Sequence, residues 1–228
     1  MGIRQRLEEV RDRIAQAAGR VGRNAADVTL VAVSKTMSNA SILEAYEAGH
    51  RTFGENRVQE FISKAPGLPE DIHWHFVGRL QRNKVKHLAG RVTLIHSVDR
   101  LDLAKEIDRR SASPTSVLLE VNVSGEPRKG GVELSDLPSL LEAASELPGV
   151  DVKGLMCMAP VGFPEDSRRV FRALAEAADR HQGLMSGGIH ELSMGMSQDY
   201  EVAVEEGATI VRIGEAIFGP RPRPVGSA

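Results

Sequence analysis

The hydrophobic pattern of the chain switches between two periods. Residues 3–21 place apolar side chains at spacings of three and four with charges between them, which predicts an amphipathic helix. Short apolar and β-branched runs then alternate with longer segments of helical period. The predicted strands are 29–34, 51–54, 73–77, 93–97, 116–123, 152–157, 191–193 and 209–213. The predicted helices between them are 42–46, 57–64, 82–88, 100–110, 134–147, 165–181 and 199–206.

This alternation predicts the fold class. Each helix carries the chain back along the face of a sheet before the next strand begins, so the strands must run parallel. Eight such units can close on themselves, and the 228 residues suit one barrel, which takes about 200–250 residues. We predict an α/β fold, a single-domain (β/α)8 TIM barrel over 1–228, with an extra N-terminal helix in 1–22 and a flexible tail at 220–228. An open doubly wound sheet is the alternative, because periodicity does not show closure.

Composition restricts the partners. The chain is 41% hydrophobic and 26% charged, as in an ordinary soluble globular protein. Its net charge of -2 and 4% aromatic residues argue against a nucleic-acid partner. Cys157 is the single cysteine, which excludes an internal disulfide and fits a reducing compartment. With no secretory signal pattern, no apolar run of about 20 residues and no coiled-coil heptad, we expect a cytoplasmic monomer without a membrane partner.

Lys35 is the most informative candidate. It ends an almost wholly apolar strand, and period two puts it on the same face as Val33 and Val31. Functional groups of a barrel lie at the carboxyl ends of its strands. Partial withdrawal from water favours the neutral amine, which attacks carbonyl carbons as a Schiff-base nucleophile. The alternative is a strand-end lysine that extends to solvent.

Two motifs late in the chain predict an anion site. Residues 191–197 are a short strand that breaks into a glycine-containing loop before a helix, where the hydroxyls of Ser193 and Ser197 and the free amides of the helix can bind an anion. Arg212, Gly214 and Glu215 end the last predicted strand, and glycine permits close backbone approach. Loops after the last two strands of such barrels often hold phosphate. A phosphate cradle opposite a reactive amine indicates a phosphorylated aldehyde, pyridoxal 5'-phosphate.

Other candidate sites are weaker. His73 and His75 share a strand face and could bind zinc, but no third ligand is evident, so we expect packing roles. The methionines at 156, 158, 194 and 196 are expected to pack against one another or against a ligand ring. The chain has no P-loop, GxGxxG, GxSxG or HExxH motif. Those enzyme classes lose their support.

Taken together, these segments resemble the pyridoxal phosphate homeostasis protein family nearly end to end. The segments that carry the resemblance are VSK at 33–35, FGENRVQE at 53–60, HWHFVG at 73–78 with LQ at 80–81 and NK at 83–84, HSVD at 96–99, GLM at 154–156, LSMGMS at 192–197, and VRIG at 211–214 with IFG at 217–219.

The resemblance implies a fold and a set of ligand contacts. It implies a barrel like the N-terminal domain of alanine racemase, with the cofactor held as an internal aldimine on Lys35. It further implies a ring-facing Asn56, phosphate contacts at Ser193 and around Gly214 and Glu215, and a ring-nitrogen or phosphate-side role for Arg212. If the Glu215 amide serves the phosphate, its carboxylate must turn away, because like charges repel at contact distance.

Carriage and catalysis make different demands on such a site. An arginine at the ring nitrogen opposes ring protonation and weakens carbanion chemistry, although alanine racemase operates with one. Racemisation also needs a base on each face of the Cα carbanion, and Lys35 has no obvious partner, since Tyr46 and Tyr200 are predicted on helices. We therefore favour a role in cofactor homeostasis, with pyridoxal phosphate-dependent apo-enzymes as partners. An amino acid racemase, or a Schiff-base aldolase without stored cofactor, remains the alternative.

Overall fold

The computed structural model describes residues 1–126, 130–160, 162–184 and 187–220. The strands are β1 (Thr29–Val33), β2 (Thr52–Glu55), β3 (His73–Phe76), β4 (Leu94–Val98), β5 (Thr115–Asn122), β6 (Val132–Glu133), β7 (Val150–Met156), β8 (Glu191–Ser193) and β9 (Ile210–Ile213). The helices are α1 (Ile3–Arg20), α2 (Asn39–Glu47), α3 (Val58–Lys64), α4 (Leu101–Arg110), α5 (Leu137–Ser145), α6 (Pro164–Arg180), α7 (Tyr200–Glu205) and α8 (Glu215–Phe218). The tail predicted at 220–228 lies outside the described residues, except for its first residue, Pro220.

The strands close into a barrel. Their order is β4-β3-β2-β1-β9-β8-β7-β5, and β4 also pairs with β5, which joins the two ends of the sheet. Each of these pairings is parallel. The predicted (β/α)8 barrel is therefore confirmed, and the open doubly wound alternative is wrong. All eight predicted strands are present, with ends within two residues of those expected.

Several short elements differ from the sequence prediction. The helix predicted for 82–88 is a 3-10 helix, Arg82–His87. Its buried Val85 and the following Leu88 are three residues apart, a spacing that suits both helix types, so the apolar pattern does not distinguish them. Strand β6 was not predicted, since two residues are too few to show a period; it pairs with β5 outside the closed ring. The four-residue α8 was missed for the same reason.

Buried side chains form two layers separated by the barrel wall. The outer and larger cluster includes Leu30 and Ala32 and lies between the strands and the helices. The inner cluster is small and consists of Val31, Val33, Leu94, Leu118, Met156 and Ile210, with Val77 packed against it. The small inner cluster leaves room in the lumen for polar side chains, and these build the site.

The predicted N-terminal helix is α1, and it covers the outside of the barrel. Its buried residues are Ile3, Leu7, Val10, Ile14, Ala17 and Ala18, at the predicted helical spacing. It packs against α2, α7 and α8. Arg6 Nε donates to the carbonyl of Ile217 at 2.5 Å, which ties α1 to the helix that follows the last strand. Among the described residues, no helix has the length and apolar character needed to cross a bilayer.

Candidate functional site

A cavity of about 720 Å³ opens where the barrel strands end. Five of the predicted ligand-contact residues line it, namely Lys35, Asn56, Arg212, Gly214 and Glu215. The sixth, Ser193, does not line the cavity, and its side chain is fully buried. The structure therefore brings nearly all of the predicted site residues together in one place.

Lys35 lies at the barrel mouth, directly after β1. Val31 and Val33 belong to the inner cluster, whereas Leu30 and Ala32 belong to the outer one, so the predicted assignment of strand faces is confirmed. The lysine is half-buried and lines the cavity. Its placement matches the expectation from period two, while its covalent role stays a prediction.

The backbone around Lys35 is held by the end of α3. Thr36 has φ 65°, an uncommon conformation for a β-branched residue. Its amide donates to Glu60 Oε2 at 2.7 Å. Lys64 Nζ donates to the same carboxylate oxygen at 2.8 Å and to the Ser34 carbonyl at 2.9 Å. One helix therefore fixes the residues on both sides of Lys35.

Beneath this loop lies a buried ion pair. Lys64 Nζ is 2.8 Å from Glu55 Oε1, and the two side chains are only 11% and 1% exposed. The Ser34 hydroxyl donates to the same oxygen at 2.7 Å. Burial raises the pKa of Glu55, while its hydrogen bonds to Lys64 and Ser34 act in the opposite direction. The Glu55 carboxylate depends on both donors to remain charged in a nearly dry position.

Asn56 offers an unused hydrogen-bond acceptor beside the cavity. It directly follows β2, and its Oδ1 is buried without a partner among the described residues. Leaving a buried acceptor unsatisfied costs about 1–3 kcal/mol. Gly78 packs against its backbone, since a Cβ there would lie 2.1 Å from the Asn56 carbonyl oxygen. A ligand donor at this wall would satisfy the acceptor.

Arg212 is buried between the cavity and a chain of hydrogen bonds in the lumen. Its guanidinium donates to Ser193 Oγ at 2.5 Å and to the Cys157 carbonyl at 3.0 Å. Ser193 Oγ is 2.8 Å from His96 Nδ1, and His96 Nε2 is 2.9 Å from His75 Nδ1. These contacts fix the Arg212 head group at the inner end of the cavity.

The donors in this chain of hydrogen bonds determine which atoms carry the protons. An arginine can only donate, so the Ser193 hydroxyl accepts from it. This hydroxyl is fully buried and contacts no other acceptor among the described residues, so its one proton goes to His96 Nδ1. His96 then carries its proton on Nε2 and donates to His75 Nδ1. Burial holds the pKa of His96 well below its usual value and lowers that of His75 to about 4. Both imidazoles are therefore neutral at pH 7, as the directional chain requires.

The last strand leads into a short backbone segment rich in free donors. Gly214 is the N-cap of α8, and Glu215 is its first residue. Among the described residues, none accepts a hydrogen bond from the amide of Gly214 or of Glu215. The Glu215 side chain is exposed, in keeping with the expectation that its carboxylate turns away from the cavity. Ser197 also lines the cavity, with its Oγ 3.5 Å from the Ala216 amide.

Glu120 is a cavity residue that the sequence analysis missed. It lies on β5, is 5% exposed and lines the cavity. Burial, with a smaller contribution from the nearby Asp99, raises its pKa to about 6, and the charges of Arg212 and Arg79 oppose the shift. A carboxyl group that titrates close to neutrality therefore faces any bound ligand.

The structure also places the weaker candidates. His73 is exposed while His75 is buried, and no group of three metal-binding side chains occurs among the described residues. His75 packs inside the barrel and is hydrogen-bonded to His96. Met156, Met158 and Met196 line the cavity, whereas Met194 is fully buried in the outer cluster.

One signal in the sequence could have found the lumen residues. His75, His96, Glu120 and Arg212 each lie two residues from an apolar member of the inner cluster, at Val77, Leu94, Leu118 and Ile210 respectively. Side chains two apart share a strand face. Applying the same parity to every predicted strand, as was done for Lys35, would have gathered these polar groups into the barrel interior.

This fold and site place the protein in a broad class of barrels related to alanine racemase. Residues 6–222 match the family model described as alanine racemase, N-terminal domain. The alanine racemase of Corynebacterium glutamicum has a TM-score of 0.68 at 17% identity, covering 99% of this chain and 62% of that one. At this identity, the likeness concerns the fold alone.

Relatives of higher identity define the family more narrowly. The pyridoxal phosphate homeostasis protein of Aquifex aeolicus (strain VF5) is 50% identical over 97% of this chain and 99% of its own length. That of Escherichia coli (strain K12) is 42% identical over 96% and 97%. The structure of PipY from Synechococcus elongatus PCC7942 with PLP bound has a TM-score of 0.83 and 37% identity, covering 95% of this chain and 100% of that one. The chain belongs to the pyridoxal phosphate homeostasis protein family.

Proposed function

We propose that this protein binds pyridoxal 5'-phosphate as an internal aldimine on Lys35 and holds it in the cytoplasm, as a monomer, for pyridoxal phosphate-dependent apo-enzymes. The observation that carries the proposal is the single cavity that joins the Lys35 amine, the Arg212 guanidinium and the free amides of Gly214 and Glu215. The names of the curated relatives and the PLP-bound structure of PipY support the same ligand.

The residues present fit this cofactor. A phosphate carries negative charge and several acceptor oxygens, which suit the free amides at the start of α8. The polar substituents of the pyridine ring include a hydroxyl, which can donate to the buried Oδ1 of Asn56. The methionines at the cavity wall provide adaptable apolar contacts for a planar ring. When bound, the cofactor supplies an aldehyde that reacts with amines and a ring that withdraws electrons.

The protein's own groups favour retention of the ligand. The Lys35 amine adds to the aldehyde carbon and one water leaves, so attachment is reversible by hydrolysis. Arg212 presents donors only, fixed by Ser193 and the Cys157 carbonyl. Arg212 would donate a hydrogen bond to the ring nitrogen of a bound cofactor but would supply no proton, which would weaken the electron withdrawal that turnover needs. The predicted phosphate contact of Ser193 has less support, since its hydroxyl is already bonded to Arg212 and His96.

A racemase activity is the second candidate, and one observation favours it. Glu120 is a buried cavity carboxyl whose pKa is raised to about 6, within the range where a group can both accept and release protons. Incubation of the loaded protein with each common amino acid in D2O tests this candidate. Exchange at Cα that is lost in both Lys35→Ala and Glu120→Gln establishes turnover, and the absence of exchange supports storage.

The binding proposal is tested by the visible spectrum. Wild-type protein incubated with pyridoxal phosphate and desalted is expected to keep a yellow absorbance, and Lys35→Ala is expected to lose it. Lys153→Ala is the matched control, because that lysine is exposed and pairs only with Asp151 among the described residues. Equal colour in Lys35→Ala and wild type contradicts the assignment. Transfer is measured separately, by reactivation of an apo-enzyme with the loaded protein.

A further inference from the structure

A second, larger depression of about 1160 Å³ lies beside the cofactor cavity and is strongly basic. Its cationic lining residues are Arg57, Arg79, Arg82, Lys84, Arg100 and Arg109, and its one acidic lining residue is Glu106. We call it the basic groove. The whole chain has a net charge of -2, so this concentration of positive charge is a local feature. It is separate from the residues that would hold the aldehyde and the phosphate.

The groove is continuous with the cavity. Asn56 and Arg79 line both. Arg57 is the N-cap of α3 after β2, Arg82 begins the 3-10 helix after β3, and Arg100 is the N-cap of α4 after β4. The groove therefore opens at the same end of the barrel as the cavity.

Much of the positive charge in the groove is not neutralised. Arg100 pairs with both Asp99 and Asp102, Arg82 also pairs with Asp102, and Arg109 pairs with Glu106. Arg57, Arg79 and Lys84 form no ion pair within the described part of the chain. Arg57 and Arg79 are exposed and Lys84 is half-buried. These three side chains are therefore available to a mobile anion.

From this geometry we propose that the basic groove is an electrostatic approach route that captures phosphate monoesters and guides them into the cavity. The proposal rests on the proposed function, because the captured ligand is pyridoxal phosphate. A cleft lined by one sign of charge raises the association rate of an oppositely charged ligand by roughly 10–1000-fold, and salt suppresses the gain. The groove lacks an exposed aromatic platform among its described lining residues, so it does not suit stacked nucleic-acid bases.

The test measures association rates by stopped flow, from the rise of visible absorbance on mixing apo-protein with ligand over a series of salt concentrations. Pyridoxal, which has the aldehyde but no phosphate, is the matched ligand. The variant is Arg57→Gln/Lys84→Gln, whose side chains have no described ion pair and do not line the cavity. The control is Arg4→Gln/Arg169→Gln, which removes the same charge from α1 and α6, outside the groove.

For pyridoxal phosphate, the wild-type association rate is expected to fall steeply with salt, and the groove variant to be roughly tenfold slower at low salt. The control variant, the dissociation rate and the rate with pyridoxal are expected to change by less than about twofold. Equal rates in the groove and control variants overturn the proposal, as does a salt response that is the same for both ligands. Absence of any visible band in the wild type instead overturns the proposed function, and the groove proposal with it. The groove proposal is also refuted if the groove binds an acidic protein while the groove variant leaves the association rate of pyridoxal phosphate unchanged.

Discussion

The substitution Lys64→Met tests the buried support of the Lys35 loop. Lys64 Nζ makes three hydrogen bonds, to the Ser34 carbonyl, Glu55 and Glu60, at 2.8–2.9 Å. Methionine has a similar length and no charge, so it fills the space but leaves the Glu55 carboxylate buried with only the Ser34 hydroxyl. Removing one partner of a buried ion pair costs about 3–5 kcal/mol. For a domain of this size, that lowers Tm by roughly 6–20 °C.

The assay is thermal and urea denaturation of the cofactor-free protein. Lys153→Met is the control, because its partner Asp151 is 36% exposed and the pair is expected to contribute under about 1 kcal/mol. Adding Glu55→Gln to Lys64→Met removes the stranded charge and is expected to recover part of the stability. A Lys64→Met protein within about 1 kcal/mol of wild type would refute the reasoning.

The pH dependence of the same variant gives a second check. Burial already raises the pKa of Glu55, and loss of the ammonium group raises it further. A carboxyl whose pKa is higher in the folded state binds more protons there, so folding becomes more favourable as the pH falls through that pKa. The stability difference between Lys64→Met and wild type should therefore be smaller at pH 5 than at pH 8. A difference that grows on acidification would contradict the role assigned to Glu55.

Three further predictions concern the lumen and the cavity wall. Burial lowers the pKa of His50 and of His75 from 6.5 to about 4. The stability that these histidines contribute as neutral groups is therefore complete above pH 6.5 and is lost as the pH falls towards 4. Urea denaturation should show a loss of about 2 kcal/mol for each histidine by pH 5. His96→Leu leaves the Ser193 hydroxyl proton without an acceptor and His75 Nδ1 without a donor, and it should cost about 2 kcal/mol or more. His96→Asn keeps an acceptor near Nδ1 and should cost less in the same assay. Gly78→Ala should weaken cofactor binding in a spectral titration, because the added Cβ would lie 2.1 Å from the Asn56 carbonyl oxygen and the Asn56 backbone would have to move. An unchanged affinity would argue against Asn56 as a cofactor contact.

The sequence was most informative where long periodic runs repeat. Alternation of strands and helices predicted the barrel, and period two in β1 predicted which face Lys35 shares with Val31 and Val33. Strand-end position predicted that Arg212 and Gly214 lie at the same mouth, and the structure places them there. These features follow from regular backbone geometry, which leaves a direct signal in the spacing of apolar residues.

The sequence was least informative where contacts join distant residues. The pairing of Lys64 with Glu55 depends on where the end of α3 packs below β2, and the bond between His96 and Ser193 spans 97 positions. No local spacing encodes either contact. Glu120 was overlooked because it lies within an apolar strand. The basic groove was overlooked because its cations come from three separate segments, which follow β2, β3 and β4. Such sites emerge only once the strand order is known.

The account depends most on the covalent attachment of the cofactor to Lys35. Borohydride reduction of the loaded protein fixes the attachment, and peptide mass spectrometry then locates the pyridoxyl group. The account predicts one modified peptide, containing Lys35, and no modified peptide at that position in Lys35→Ala. A pyridoxyl group found instead on another lysine, or protein that retains the cofactor but is not modified by reduction, would contradict it.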